Sequence, residues 1–371
     1  MRLSILRAGF LTTVQDLGRT GFRASGVSVG GALDPLGLRV ANLLVGNDES
    51  AASLEITLGN FRTRFDDERV VAWCGAESQV RIGQEKIAPG QVALIHASEE
   101  LIVDPADSGM RGWLAISGGI DVPQVLGSRA TDLRAQFGGL EGRVLRDGDS
   151  LPLADISPRS RSIAKTLRAG RVASWSAPVD WSSAAKRNPM LRIVRGKDVD
   201  LFEERAFEVL TSERFIARSD SDRMGVRLDG PELSRKEKVA EPGEAGQLLQ
   251  QKRSTGDSET NRRSWATQPI DPICCPPGAK QVDLVSEAVA PGTIQVPPSG
   301  NPILLLGDCQ TIGGYPKIAH VITVDLPIAA QLRPDDRVRF QEVSLSDAHQ
   351  LLLEREKDFA RFKLGLELQS R

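Results

Sequence analysis

The chain is short of the residues from which most single-chain catalytic engines are built. Three histidines, four cysteines and one tyrosine are spread over 371 residues. His96, His320 and His349 stand far apart, and the first two sit in apolar runs that suit a hydrogen-bonded core imidazole better than a ligand. Cys74, Cys274, Cys275 and Cys309 show no CxxC spacing and no neighbouring histidine, so neither a zinc site nor a disulfide framework is expected. No GxxxxGK[ST], no GxGxxG after a strand and no HExxH occurs, which excludes the P-loop, Rossmann and zincin engines. Neither sign of charge is in excess: 47 Lys and Arg stand against 49 Asp and Glu. That balance argues against a nucleic-acid binder, which carries a basic face. No apolar run approaches the roughly 18 residues that span a bilayer. The opening MRLSILRAGFLTTVQDLG has no signal-peptide cleavage pattern. A cytoplasmic protein with no membrane association is expected.

What the chain has is glycine, 35 residues of it, punctuating short apolar runs. VVAWCGAESQVRIG (70–83), QVALIH (91–96), RGWLAISGG (111–119), LRIVRG (191–196), PILLLG (302–307) and RVRFQEV (337–343) follow one another between Gly, Pro and Asp turns. This predicts a mostly β fold of short strands. One helix is predicted from Pro35 to Val45, with Asp34 as N-cap and proline in the first helical position. A second, amphipathic one is predicted from about Ser346 to Phe362.

Two echoes point to duplication. APGQVALIHASEELIV (88–103) resembles APGTIQVPPSGNPILLL (290–306), and LRDGDSLPL (145–153) resembles LRPDDRVRF (332–340). The expected organisation is an N-terminal β-barrel subdomain (1–155), a Ser-rich basic linker (156–188), a C-terminal barrel subdomain (189–345) and a C-terminal helix (346–371). The stretch 233–280 is polar, charge-mixed and aperiodic, and reads first as a disordered insertion and second as a lid.

Four segments set charged or amide residues among glycines. DCQTIGGYPK (308–317) holds Asp308, Thr311, Gly313, Gly314, Tyr315 and Lys317 between two apolar runs. It reads either as a ligand-facing loop carrying a carboxylate, a phenol and an ammonium, or as a tight hairpin capped by Tyr315. TTVQDLGRTGFRASGVSVGGALDP (12–35) brings Gln15, Asp16, Arg19 and Asp34 close to an anion-friendly helix start, or pairs Asp16 with Arg19 as a local ion pair. In SDSDRMGVRLDG (219–230), Arg223 and Arg227 are four apart, so an extended strand points both to one face. Two guanidiniums there suit a carboxylate or phosphate; the alternative is a solvated edge paired to aspartates. Gln295 lies between apolar neighbours in GTIQVPPSGNP (292–302), and a buried amide needs a partner in the protein or in a ligand.

Taken together, TTVQDLGRTGF, GGALDPLGLRVANLLVGN, SLEITLGN, SGGIDVPQVLGSRATD, SDRMGVRLDG, GTIQVPPSGNPILLLGDCQTIGGYPKIAHVI and QLRPDDRVRF resemble the allophanate hydrolase subunit 2 family. Its members are also described as biotin-dependent carboxyltransferase-like proteins, or as the C-type component of bacterial 5-oxoprolinase. The resemblance covers about residues 3–345 in seven collinear motifs. It implies two cyclophilin-like β-barrel subdomains and an obligate B-type partner (allophanate hydrolase subunit 1-like), joined by a third, A-type component in the 5-oxoprolinase case. The reaction implied is ATP-driven opening of the 5-oxoproline lactam to glutamate. Other relatives act as the carboxyltransferase half of urea carboxylase, which would bring in biotin, or in a regulatory pair that controls a sporulation kinase. No biotin-attachment Met-Lys-Met motif and no nucleotide motif is visible in this chain. The family usually joins its SDRMGxRLxG and GTIQVP strands by a short connection, where this chain carries 233–280.

On that resemblance, Arg223 and Arg227 are expected to clamp the substrate carboxylate or a phosphate. Gln295, Thr311, Gly313 and Gly314 are expected to bind substrate, and Tyr315 and Lys317 to stabilise developing negative charge. Asp308 is expected to orient Lys317 or a water. Gln15, Asp16, Arg19 and Asp34 form a secondary cluster.

Overall fold

The structure, a computed structural model, describes residues 1–183, 186–236 and 284–369. The fold is mostly β with a few helices, as the turn-punctuated sequence predicts. The reading of 233–280 as an insertion falls, from residue 237 onward, outside the described residues.

The N-terminal half carries eleven strands: β1 Arg2–Arg7, β2 Leu11–Gln15, β3 Ser53–Thr57, β4 Phe61–Phe65, β5 Arg69–Glu77, β6 Val80–Ile82, β7 Glu85–Ile87, β8 Val92–Ile95, β9 Glu100–Val103, β10 Ser108–Ile116 and β11 Ser150–Pro152. They form a six-stranded sheet, β11-β1-β4-β9-β6-β7, and a five-stranded sheet, β2-β3-β10-β5-β8. The inner faces share one core, with Leu3, Ile5, Phe61 and Phe65 from the first sheet meeting Val14, Leu54, Trp73 and Leu114 from the second. Among the described residues the two sheets are not joined into one hydrogen-bonded ring, so this half is a two-sheet version of the expected barrel. β4 alternates buried and exposed residues, because one of its faces meets water. β5 is buried over eight successive residues, because the far face of its sheet is covered too.

That cover is the helix Pro35–Leu44, with Leu36, Leu38, Val40 and Leu44 against Val70, Ala72, Cys74 and Trp113. Its cap is the predicted one: the Asp34 side chain accepts from the Gly37 amide at 2.8 Å. The segment after β11 adds helices Pro158–Leu167 and Val179–Ser182. The C-terminal helix Leu345–Gln369 runs well past the predicted Phe362. Phe359 and Phe362 pack on Trp181 at ring separations of 6.2 and 5.5 Å, and Lys363 bridges Glu49 at 3.1 Å. Those contacts hold the last turns, which the amphipathic pattern alone does not mark.

Among the described residues the C-terminal half has nine strands: β12 Met190–Arg195, β13 Phe215–Ala217, β14 Gly225–Asp229, β15 Glu287–Ala288, β16 Thr293–Gln295, β17 Ile303–Leu305, β18 Ile312–Gly313, β19 Lys317–Val321 and β20 Arg337–Glu342. Seven of them close into a barrel, β12-β19-β16-β17-β14-β13-β20. The echoes hold locally and diverge in pairing. β16 and β17 pair with each other, whereas their counterparts β8 and β9 lie in different sheets. β11 and β20 each close their half against its first strand, β11 antiparallel to β1 and β20 parallel to β12.

The two halves interlock. Leu33, just before the first helix, is buried in the core of the barrel with Leu306 and Val226. Gln331 from the barrel accepts from the Met110 and Arg111 amides at 2.8 and 2.9 Å and donates to the Arg111 carbonyl at 2.8 Å.

Candidate active site at the seam

The interlock buries a set of charges between the halves. Glu55 sits in mid-β3 and is fully enclosed. Arg111 from neighbouring β10 reaches Glu55 Oε1 at 3.8 Å, an ion pair without a hydrogen bond, and donates through Nη1 to the Ala330 carbonyl across the seam. Arg223 enters from the barrel side. Its Nε and Nη2 grip the two Asp308 oxygens at 2.8 and 3.1 Å, its Nη1 donates to Glu55, and its Nη2 also donates to the Gly31 carbonyl at 2.7 Å. Every nitrogen of that guanidinium is engaged.

The local sequence explains how Arg223 arrives there. Asp222 Oδ1 accepts from the Met224 and Gly225 amides at 2.7 and 3.2 Å, which turns the chain just before β14 begins. The Asp308 amide donates to the Arg223 carbonyl at 3.2 Å, so backbone and side chain both fix the pair. Burial pushes the Asp308 carboxyl above its ordinary range, outweighing the Arg223 charge; the nearby Glu55 and Asp132 carboxylates add to the rise. Burial likewise lowers the Arg111 guanidinium, to about 10, against the pull of Glu55. Glu55 Oε2 and Arg111 Nε are enclosed with no hydrogen-bond partner among the described residues. A buried polar network left incomplete is costly.

The other expected site residues fall into separate groups. The turn at Asp222 takes Arg223 out of the strand, so Arg223 and Arg227 do not form a two-guanidinium clamp. Arg227 lies on the barrel wall, 3.6 Å from Asp220, and lines a cavity of about 390 Å³ with Tyr315, Arg218, Asn301 and Ser299. Lys317 is not held by Asp308: its ammonium lies 3.4 Å from both Asp198 and Glu287. Gln295 is enclosed; its Nε2 donates to the Tyr315 carbonyl at 3.3 Å, and its Oε1 accepts from Gln310 at 3.5 Å. Thr311 accepts the Val289 amide through its carbonyl, and Gly313 pairs with Glu287 in the small β15–β18 sheet, with Gly314 following it. The loop 308–317 thus starts at the seam with Asp308 and ends on the barrel wall with Tyr315 and Lys317. Among the described residues, Arg223 is engaged by Asp308 and Glu55, Lys317 by Asp198 and Glu287, and Tyr315 lines the barrel-wall cavity, so the three are not brought together.

In the secondary cluster, Asp16 does not pair with Arg19. It accepts from Gly18 N at 2.8 Å, Ser128 Oγ at 2.6 Å and Arg129 N at 2.5 Å, fixing the loop 128–131 against β2. Gln15 donates to Thr13 and to the Thr131 carbonyl at 3.0 and 3.2 Å. Asp34, behind the seam, is the helix cap already described. His96, placed in an apolar run by the sequence, is half-exposed beside Glu68 at 3.1 Å, because β8 ends at Ile95. Glu55 and Arg111 are site residues that the sequence reading does not single out. The available signal is a lone carboxylate inside SLEIT and a lone guanidinium inside MRGWLAI, ionic groups in strands otherwise fit for a core.

Residues 25–342 match the family model described as carboxyltransferase domain, subdomain A and B. The chain belongs to this family. Its charged seam lies between the two halves of the matched region. Among curated members, the chain is 36% identical to the C subunit of 5-oxoprolinase from Escherichia coli over 93% of each chain, and 32% identical to its namesake from Haemophilus influenzae over 94% of each. Among solved structures, the Kluyveromyces lactis urea carboxylase superposes with a TM-score of 0.78 at 26% identity, over 97% of this chain and 29% of that one.

Proposed function

We propose that this chain is the C-type component of a 5-oxoprolinase complex, which opens the 5-oxoproline lactam to L-glutamate at the expense of ATP together with A-type and B-type partners. The observation that carries the reading is the end-to-end match with two chains named for that role. Urea carboxylase, by contrast, contains this fold as under a third of its length.

A lactam is a poor electrophile, and ATP would activate its carbonyl oxygen as a phosphate ester that water can attack. Such a step needs groups that hold developing charge and move a proton in a site closed to bulk water. The seam offers this. Asp308 is held in place by Arg223 and carries a carboxyl whose affinity for a proton is raised by burial, which suits a proton acceptor. Arg223 is the positioning residue, and Glu55 is the counter-charge that keeps Arg223 in the seam. ATP enters as a co-substrate of the complex, and no residue of this chain is assigned to it.

The second reading is a carboxyltransferase that moves carboxylate from carboxybiotin on a separate carrier. The family description and the fold shared with urea carboxylase favour it. The test is ADP release by the assembled complex with each component omitted in turn. Release that needs 5-oxoproline, this chain and its partners, and no biotinylated carrier, supports the first reading. Activity that needs the carrier and ignores 5-oxoproline replaces it with the second.

A further inference from the structure

Arg19 is 1% exposed, yet among the described residues its guanidinium makes one hydrogen bond, from Nη2 to the Ala130 carbonyl. Its Nε and Nη1 are enclosed without a partner. The nearby carboxylates are committed elsewhere. Asp16 holds the loop at Ser128 and Arg129. Asp132 accepts from Ser28 Oγ and from the Arg134 and Ala135 amides at 2.9 to 3.1 Å. Asp308 is gripped by Arg223. These three favour the charged guanidinium through space but only partly offset its burial, which lowers its basicity. A buried cation with unmade hydrogen bonds costs stability.

An aromatic ring and two glycines flank that end of the side chain. The guanidinium lies over the Phe137 ring, 4.7 Å from its centre. A Cβ on Gly30 would stand 3.3 Å from Arg19 Nη1 and 3.8 Å from Asp308 Oδ1, and one on Gly138 would stand 2.9 Å from Nη2. Gly30 and Gly138 have φ of +61° and +69°, so their backbone also favours glycine. The Cβ position that Gly30 leaves empty therefore lies within 3.8 Å of both Arg19 Nη1 and Asp308 Oδ1.

We propose that Arg19, through Nη1, binds the carboxylate of the small-molecule substrate and sets it beside Asp308. The inference rests on the seam being the reaction site. It moves the carboxylate clamp from Arg223, whose nitrogens are all engaged, to an arginine that has donors to give. A carboxylate on a buried guanidinium is a charge-assisted hydrogen bond of the stronger kind.

The experiment has two arms. In the assembled complex, Arg19→Gln raises the KM for 5-oxoproline about 10- to 100-fold and lowers kcat less, and Arg19→Lys recovers part of the loss. An unchanged KM, or a fall confined to kcat, overturns the proposal. In the isolated full-length wild-type chain labelled with ¹⁵N-arginine, the Arg19 side-chain signal is assigned by its loss in Arg19→Lys. It shifts on titration with 5-oxoproline and not with 2-pyrrolidinone, which is the same lactam without the carboxylate. No shift with 5-oxoproline, or equal shifts with both, overturns the proposal. A complex without 5-oxoproline-dependent ADP release sinks the functional reading alone, because the titration in the second arm needs no turnover and still decides whether Arg19 takes a carboxylate.

Discussion

Arg223 and Asp308 are 85 residues apart and meet in a two-pronged fork at 2.8 and 3.1 Å, while the same guanidinium reaches Glu55 in the other half of the molecule. One side chain therefore joins the barrel, the loop after β17 and the N-terminal sheet. Removing one member of a buried ion pair leaves the others uncompensated. Arg223→Gln is expected to lower the unfolding free energy by about 3–5 kcal/mol, read as a shifted urea midpoint. Arg223→Lys recovers only part, since an ammonium cannot fork. An unmoved midpoint for Arg223→Gln would show that the triad does not hold the seam.

Leu33 tests the interlock without touching charge. It crosses from the N-terminal half into the barrel core, where it is 5% exposed. Leu33→Ala should cost about 2–5 kcal/mol. A loss under about 0.5 kcal/mol would mean the barrel does not need this plug.

Asp34 gives a pH signature. Burial pushes its carboxyl up to about 6 from 3.8, against the opposing pull of the Gly37 amide and the Arg355 charge. The folded state thus binds a proton that the unfolded state has already lost between those two values. Stability is fully present below about pH 4 and declines as pH rises through about 6, by about 3 kcal/mol for this group. Asp34→Asn, which can still cap the helix, should flatten that part of the stability profile. An identical profile in the variant would assign the pH dependence to other groups.

The buried cysteines should be inert. Burial raises both the Cys74 and the Cys309 thiol, the latter to about 11. Iodoacetamide on the folded chain at pH 8 should leave both unmodified, as read by peptide mass spectrometry, and denaturant should expose them. Alkylation of Cys309 in the native state would mean that the loop after β17 opens readily.

Local chemistry made much of the fold legible. Asp34 followed by proline announces a helix, and it starts there. Pro-Gly turns before QVALI and TIQV announce strands, and β8 and β16 follow them. What local pattern does not carry is pairing: the same turn–strand–loop–strand order builds a hairpin in the barrel and a crossover between sheets in the other half. The site is half legible for the same reason. Arg223 and Asp308 stand out as polar residues among glycines, but their being partners depends on a contact across 85 residues. The expected link of Arg223 to Arg227 fails on a local detail, the Asp222 turn that delays β14 to Gly225. Glu55 and Arg111 lie hidden in strands that read as core.

Whether the reaction belongs to the seam or to the barrel-wall cavity is decided by one comparison. Asp308→Asn and Tyr315→Phe are introduced separately into the assembled complex, and 5-oxoproline-dependent ADP release is measured beside the urea midpoint of each chain. Removing a proton-transfer group costs about 100-fold or more. The account predicts such a loss for Asp308→Asn and a change of only a few-fold for Tyr315→Phe. Near-normal turnover in Asp308→Asn, with a loss of two orders of magnitude in a stably folded Tyr315→Phe, would contradict it and move the chemistry to the barrel wall.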